Sequence, residues 1–115
     1  MRENVVRAKS FAFALRIIRL YQRLKRAREF VISQQLLRSG TSIGANVEEA
    51  QAAQSRRDFL SKMSIASKEA RETRYWLLLI KESGLAEADV THEMGEVDEL
   101  IRLLTAIVKS SDTPK

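Results

Sequence analysis

The chain has 115 residues, a net charge of +5 and no cysteine, so we expect a single domain over 1–115 and exclude disulfides, thiol chemistry and thiolate metal sites. Its Ala-, Leu- and Glu-rich composition, with one proline and four glycines, favours helix throughout. Arginines and lysines interrupt every apolar run near the N-terminus and no run approaches the roughly 18 residues of a membrane span, so we expect a cytoplasmic protein without membrane contact.

The charge is unevenly distributed along the chain. Residues 1–40 hold ten Lys/Arg and two Asp/Glu, whereas residues 41–115 hold ten Lys/Arg and thirteen Asp/Glu. A basic half beside an acidic half indicates either an anionic partner or self-association through opposite charges.

The first predicted helix covers about 5–28. Apolar and small residues recur at steps of four and three, which predicts one buried face. We expect a second apolar line to widen this buried face. The first line is Val6, Ser10, Phe13, Ile17, Leu20, Leu24 and Ala27, and the second is Phe11, Ala14, Ile18 and Tyr21.

Cations occupy the opposite side of this helix. Arg16, Arg19, Arg23 and Arg26 follow one another at steps of three and four, with Lys9 two turns earlier. Such a basic ridge can follow a phosphate backbone, and arginine can contact phosphate in a bidentate manner. The charge pattern by itself favours the alternative, a solvated face that keeps a bundle soluble.

The second predicted helix covers about 29–53 and contains Gly40 and Gly44. Glycines four residues apart share one helix face and permit close approach of another backbone. Equally, the helix could break at Gly40, with Thr41 or Ser42 capping a new helix. Both interpretations are open at this point.

Three polar residues follow on this helix. Asn46 lies near the inward face, where it would need hydrogen-bond partners and could set the register between helices. Glu48 and Glu49 are adjacent, so their side chains point about 100° apart and cannot converge as a catalytic pair. We expect Glu49 to pair with an arginine across an interface.

The third predicted helix covers about 55–83, between a Ser55 N-cap and a Gly84 stop. The fourth covers about 86–109 and is acidic in its first half. Four amphipathic helices joined by short turns predict an all-α, up-down four-helix bundle. The single histidine, His92, gives no credible metal site, and we expect no cofactor. The seam of the third helix is Phe59, Met63, Ala66, Ala70, Thr73, Leu77 and Ile80, and that of the fourth is Val90, Met94, Val97, Ile101, Leu104 and Val108.

The central stretch resembles a known family. Residues 35–39 read QLLRS and residues 42–50 read SIGANVEEA, ahead of a long Ala/Glu-rich helix. With Phe59, Ala66, Glu69 and Glu72, this pattern resembles the four-helix-bundle proteins encoded in intervening sequences of bacterial 23S rRNA genes. The resemblance extends from Lys9 to Val108.

The resemblance implies a small bundle that assembles into a cyclic homo-oligomer, a ring of five, with a basic surface. A related protein is the accessory factor of diversity-generating retroelements, which binds nucleic acid and a reverse transcriptase; partners of both kinds are therefore conceivable here. No catalytic activity is attached to the family. Residues expected to support the fold or the oligomer interface are Arg38, Ser42, Asn46, Glu49, Glu69 and Glu72.

The main hypothesis is therefore a non-enzymatic, oligomeric accessory protein that binds RNA or DNA through Lys9 and the four ridge arginines. The alternative is a structural module that binds a protein partner and has no nucleic-acid role. A nuclease using Glu48, Glu49 or Glu69 is disfavoured, because no carboxylate cluster with the spacing of a Mg²⁺ site occurs.

Overall fold

The computed structural model describes the backbone of residues 2–112 and the side chains of residues 3–110. No β-strand occurs in residues 2–112, so the predicted all-α class with four helices is confirmed. A short 3₁₀ turn, Leu85–Glu87, precedes the last helix. The helices are α1 (Arg2–Arg26), α2 (Val31–Ala50), α3 (Arg56–Ser83) and α4 (Thr91–Asp112).

Neighbouring helices run antiparallel. Between α1 and α4, Lys9 meets Glu99 whereas Arg23, four turns further on, meets Glu93. The same reversal holds for the contacts of α1 with α2, of α2 with α3 and of α3 with α4. Each helix thus packs beside the next in the chain, and α1 packs against α4 to close the bundle.

The first helix ends two residues earlier than predicted because Arg28 adopts a left-handed conformation, with φ of 66°. The amide N–H of Arg28 donates to the Lys25 carbonyl, and that of Glu29 to the Leu24 carbonyl, both at 2.9 Å. These two bonds form a Schellman motif, a helix ending in which glycine is the usual left-handed residue.

The second helix covers Val31–Ala50 rather than the predicted 29–53. The Glu29 carboxylate accepts the backbone N–H groups of Val31, Ile32 and Ser33 at 3.1, 3.0 and 2.7 Å. The side chain of Phe30, the residue at the N-cap, makes no such bond. Glu29 therefore acts as the cap from one residue upstream, and its negative charge also complements the helix dipole.

The third helix has the predicted boundaries. The Ser55 side chain accepts the Asp58 N–H, and Gly84 ends the helix with φ of 68°. The fourth helix begins at Thr91 instead of about residue 86, because Ala86 and Glu87 have left-handed φ values of 57° and 53°. Such residues cannot continue a right-handed helix.

The buried side chains follow the predicted seams of α1 and α3, except that Phe59 is only partly buried and that Ala27 lies outside α1 and is exposed. On α4 the buried line includes Glu93, Leu100 and Ile107, with Met94 only partly buried. The prediction that a second apolar line widens the buried face of α1 is wrong for Phe11 and Ile18. Phe11 is 67% exposed and Ile18 38% exposed.

The two glycines of α2 lie against α1 in an unbroken helix, so the interpretation with a break at Gly40 is wrong. A Cβ atom on Gly40 would lie 2.8 Å from Cγ2 of Ile17, and one on Gly44 would lie 3.2 Å from the backbone oxygen of Ser10. Close packing of α1 onto α2 therefore requires these glycines.

Candidate nucleic-acid interface

Three cations of the predicted basic ridge face α4 and form ion pairs there. Arg16 Nε lies 2.6 Å from Glu96, Lys9 Nζ 3.3 Å from Glu99, and an Arg23 guanidinium nitrogen 3.4 Å from Glu93. The Arg16 and Glu96 atoms are buried and do not have the alignment of a hydrogen bond. We call these three pairs the α1–α4 charge seam. They connect α1 to α4 and are partly exposed to solvent.

The pair at Glu93 is the most buried of the seam. The Glu93 side chain is 4% exposed, whereas that of Arg23 is 52% exposed. A carboxylate removed from water needs a charged or hydrogen-bonded partner, and Arg23 supplies it. Lys9, Arg16 and Arg23 thus remain at least partly exposed, as predicted for the ridge, but carboxylates of α4 compensate their charge.

The other two members of the ridge, Arg19 and Arg26, are exposed on the outer side of α1. Within residues 3–110 the structure gives neither of them an ion pair with a carboxylate. Lys25 lies beside them, with its ammonium 5.3 Å from the centre of the Tyr21 ring. Among residues 3–26, the exposed cations without an ion pair are thus concentrated in the second half of α1.

Four of the six residues predicted to support the fold or an oligomer interface connect α2 to α3 within one chain, namely Arg38, Glu49, Glu69 and Glu72. Arg38 binds Glu69 at 3.3 Å and also binds Glu72. Glu72 in turn accepts the indole N–H of Trp76 at 2.9 Å. Arg38 remains half exposed in this network. We therefore expect the network to stabilise the fold only modestly, as surface ion pairs do.

Glu49 pairs with a lysine of the same chain rather than with an arginine across an interface. The Lys62 ammonium lies 2.8 Å from the Glu49 carboxylate, which raises the pKa of Lys62 above its usual value. The neighbouring Glu48 accepts two bonds from the Arg7 guanidinium, and these lower the pKa of the Glu48 carboxyl. Glu48 therefore connects α2 to α1, whereas Glu49 connects α2 to α3.

The hydrogen bond of Asn46 lies within α2 and does not connect it to another helix of the described chain. Asn46 is half-buried and donates to the Ser42 carbonyl, one turn earlier in α2, at 2.9 Å. The hydroxyl of Thr73 instead donates to that of Ser39 at 2.9 Å in the buried interior. This hydroxyl pair, which the sequence patterns did not single out, joins α2 to α3 at one level.

A second basic surface lies between α3 and α4, where no site was predicted. A groove of about 200 Å³ is lined by three hydroxyl groups, an arginine, a lysine and a valine. Arg71 donates to the Thr105 hydroxyl at 3.3 Å across it. Lys68 and Arg102 are exposed. Each is three residues from a lining residue, Arg71 and Thr105 respectively, and this helical spacing places it next to the groove. The lining residues are Ser64, Ser67, Arg71, Thr105, Val108 and Lys109.

Lines of two or three exposed apolar side chains occur on α1 and α3, which are diagonal to each other in the bundle. On α1, Phe11, Leu15 and Ile18 occupy one outward line, and on α3, Tyr75 and Leu79 occupy another. The Tyr75 and Trp76 rings meet edge to face, 5.3 Å apart. These faces are the candidate surfaces for association with a protein.

The described residues give no metal centre. Among them, no group of three or more His, Asp or Glu side chains is placed to hold a metal ion. Glu48, Glu49 and Glu69, the carboxylates of the disfavoured nuclease hypothesis, all form ion pairs with cations of other helices.

None of the helices in the described part of the chain is long and apolar enough to cross a membrane.

The fold and this distribution of charge define a small antiparallel helical bundle with structural ion pairs and two separate basic surfaces. The chain belongs to the 23S rRNA-intervening sequence protein family, whose model matches residues 2–106. The resemblance deduced from the central stretch is thereby confirmed.

A solved structure supports the same assignment. The chain is similar to a protein of unknown function from the S23 ribosomal protein family of Bacteroides thetaiotaomicron, with 47% identity and a TM-score of 0.88. The match covers 95% of this chain and 99% of that one. A search of curated proteins gives no match.

Proposed function

We propose that the protein is a non-enzymatic accessory protein that assembles into a ring of five and binds RNA or DNA through phosphate contacts. The observation that carries the proposal is the group of exposed cations in the second half of α1. Arg19 and Arg26 have no carboxylate partner within residues 3–110, so their charge is available to a phosphate backbone. Membership of the family is consistent with this role.

Assembly would multiply this charge. In a ring with cyclic symmetry each copy presents the same exposed arginines, so a modest patch becomes a continuous basic belt. The exposed line of Phe11, Leu15 and Ile18 supplies apolar surface for such an assembly, because isolated bundles seldom leave several large apolar side chains together in water. Light scattering at micromolar concentration tests it, and a 13.1 kDa particle would refute it.

Nucleic-acid binding is tested by fluorescence anisotropy with a labelled RNA oligonucleotide and a DNA duplex over a range of salt concentrations. Phosphate contacts predict affinity that falls steeply with salt and depends little on sequence. The Arg19→Glu/Arg26→Glu variant should bind more weakly, and Lys81→Glu/Arg57→Glu supplies a control with the same change in charge. Absence of binding by the parent at low salt would refute the proposal.

A second candidate function is a protein-interaction module. The specific observation in its favour is the exposure of aromatic rings, with Phe11 67% and Tyr75 55% exposed, because aromatic residues are enriched in protein interfaces. A reverse transcriptase is one partner class that the family resemblance suggests. This function predicts that Tyr75→Ser abolishes partner binding while the salt dependence of nucleic-acid binding is unchanged.

A further inference from the structure

The groove between α3 and α4 combines the two kinds of donor that phosphate groups accept. The Arg71 guanidinium contacts the Thr105 hydroxyl at 3.3 Å, so its planar fork is held at the groove. Ser64 and Ser67 add hydroxyl groups to the same lining. A guanidinium can contact two phosphate oxygens at once, and a hydroxyl can donate to a third.

Neighbouring cations extend the groove along both helices. Lys68 and Arg102 are exposed, and neither has an ion pair in the part of the chain whose side chains are described. Lys109 belongs to the lining at the far end of the groove. Since a helix rises about 1.5 Å per residue, Arg102 and Lys109 lie roughly 10 Å apart along α4. The positive charge is therefore spread over a length that can accommodate more than one phosphate.

The carboxylates on adjoining turns are directed to other partners. On α3, Glu69 faces Arg38 of α2. On α4, Asp98 is 2.7 Å from Arg74, and Glu99 is paired with Lys9 across the α1–α4 charge seam. None of the six lining residues is acidic.

This arrangement contrasts with α1, where the glutamates of α4 compensate three of the five predicted cations. Glu93, Glu96 and Glu99 all lie on the side of α4 that faces α1. Lys109 of the same helix lines the groove. The three glutamates that face α1 therefore lie away from the groove, whereas Asp98 lies on the α3 side of α4 and is paired there with Arg74.

We propose that the α3–α4 groove is a binding site for the sugar–phosphate backbone of RNA or DNA, with Arg71 at its centre and Lys68 and Arg102 beside it. The inference rests on the proposed function for the ligand class, but it assigns the principal contact to a surface away from the α1 ridge. Contacts to phosphate carry no base information, so this site binds without sequence preference.

The test compares two variants with the same change in charge. Arg71→Glu/Arg102→Glu alters the groove, and Arg19→Glu/Arg26→Glu alters α1. Binding of a labelled single-stranded RNA and of a DNA duplex is measured by anisotropy across salt concentrations. We expect the groove variant to lose at least about tenfold in affinity, and its salt dependence to become shallower by about 0.7–0.9 for each lost phosphate contact. The α1 variant should lose less.

Folding and assembly are checked by circular dichroism and light scattering for each variant. If the groove double variant does not fold, Lys68→Glu/Arg102→Glu replaces it, since both side chains are exposed and outside the Arg71–Thr105 hydrogen bond. This second variant should also lose affinity by several-fold relative to the α1 variant.

The outcomes separate the two proposals. If the groove variants bind nucleic acid as well as the parent protein does, the groove assignment is overturned and the proposed function stands. Parent protein that binds neither nucleic acid at low salt overturns both. The assignment would also be overturned if the parent protein bound anionic lipid vesicles through the groove but bound no nucleic acid.

Discussion

Adding one methyl group at Gly40 should destabilise the bundle, although alanine is the better helix former. A Cβ at this position would lie 2.8 Å from Cγ2 and 3.0 Å from Cγ1 of Ile17. Ile17 is fully buried and branched at Cβ, so its side chain has little freedom to move aside. The two helices would have to separate, or Ile17 would have to adopt a strained rotamer.

The magnitude follows from two opposing effects. Overpacking a well-filled core costs about 1–3 kcal/mol, and replacing glycine by alanine inside a helix returns about 0.5–1 kcal/mol. We therefore expect Gly40→Ala to reduce the free energy of unfolding by about 1 kcal/mol, and by no more than about 2.5 kcal/mol. Each kcal/mol lowers the melting temperature by roughly 4 °C in a domain of this size.

Gly95 provides the matched control. It also lies inside a helix, but a Cβ there would have no neighbour within 4 Å. Gly95→Ala should therefore stabilise the protein by about 0.5–1 kcal/mol. Thermal and urea unfolding, each measured at two protein concentrations, would separate the effect on the bundle from an effect on association.

A second comparison isolates the contact itself. Ile17→Leu removes the Cγ2 branch, so the loss caused by Gly40→Ala should be smaller in that background than in the parent. Our reasoning would be refuted by a Gly40→Ala variant as stable as Gly95→Ala, or by equal losses in the two backgrounds.

Three further predictions concern charged groups. Glu29→Ala should lower stability by about 1–2 kcal/mol, measured by urea unfolding, because three N–H groups of α2 lose their acceptor; an unchanged midpoint would contradict it. Arg23→Ala should cost about 1–3 kcal/mol, since it leaves the buried Glu93 carboxylate without its cation, whereas Arg19→Ala should stay within about 0.5 kcal/mol; equal melting temperatures would disprove the distinction. Bonds from the hydroxyl and N–H at the start of α4 lower the pKa of Asp89 below its ordinary 3.8, so its stabilisation is present above that pH and is lost as the pH falls through the folded-state pKa. The difference in melting temperature between the parent and Asp89→Ala should accordingly be largest near neutral pH and vanish in strong acid.

The helical seams could be predicted because they depend on local periodicity. Steps of four and three place side chains such as Met63 and Leu77 on one face whatever the partner helix is. The caps of α3 were predictable for the same reason, because Ser55 and Gly84 act through their own chemistry. The left-handed residues Arg28 and Ala86 gave no such signal, since neither type favours that conformation.

The pairing of the ridge could not be predicted from α1 alone. Periodicity shows that Arg16 and Arg23 lie away from the buried line, but not that α4 reaches far enough round α1 to meet them. That depends on the antiparallel register, which brings Glu96 and Glu93 to the matching levels. The exposure of Phe11 has a related cause, because no helix within residues 2–112 covers its side chain.

The groove between α3 and α4 was harder to predict from the sequence. Arg71 and Thr105 are 34 residues apart, and only the packing of two helices brings them together. The one available signal is that Lys68 and Arg71 are three residues apart and therefore lie on the same side of α3.

The α1–α4 charge seam also has a consequence for the order of folding. The other helix contacts join neighbours in the chain and close short loops, whereas Arg23 and Glu93 are 70 residues apart. Because closing a longer loop costs more entropy and slows folding, we expect this seam to form last. Its ion pairs are partly exposed and therefore weakened by salt. Water should enter the interior first along this line, so amide hydrogen exchange there would quicken as ionic strength rises.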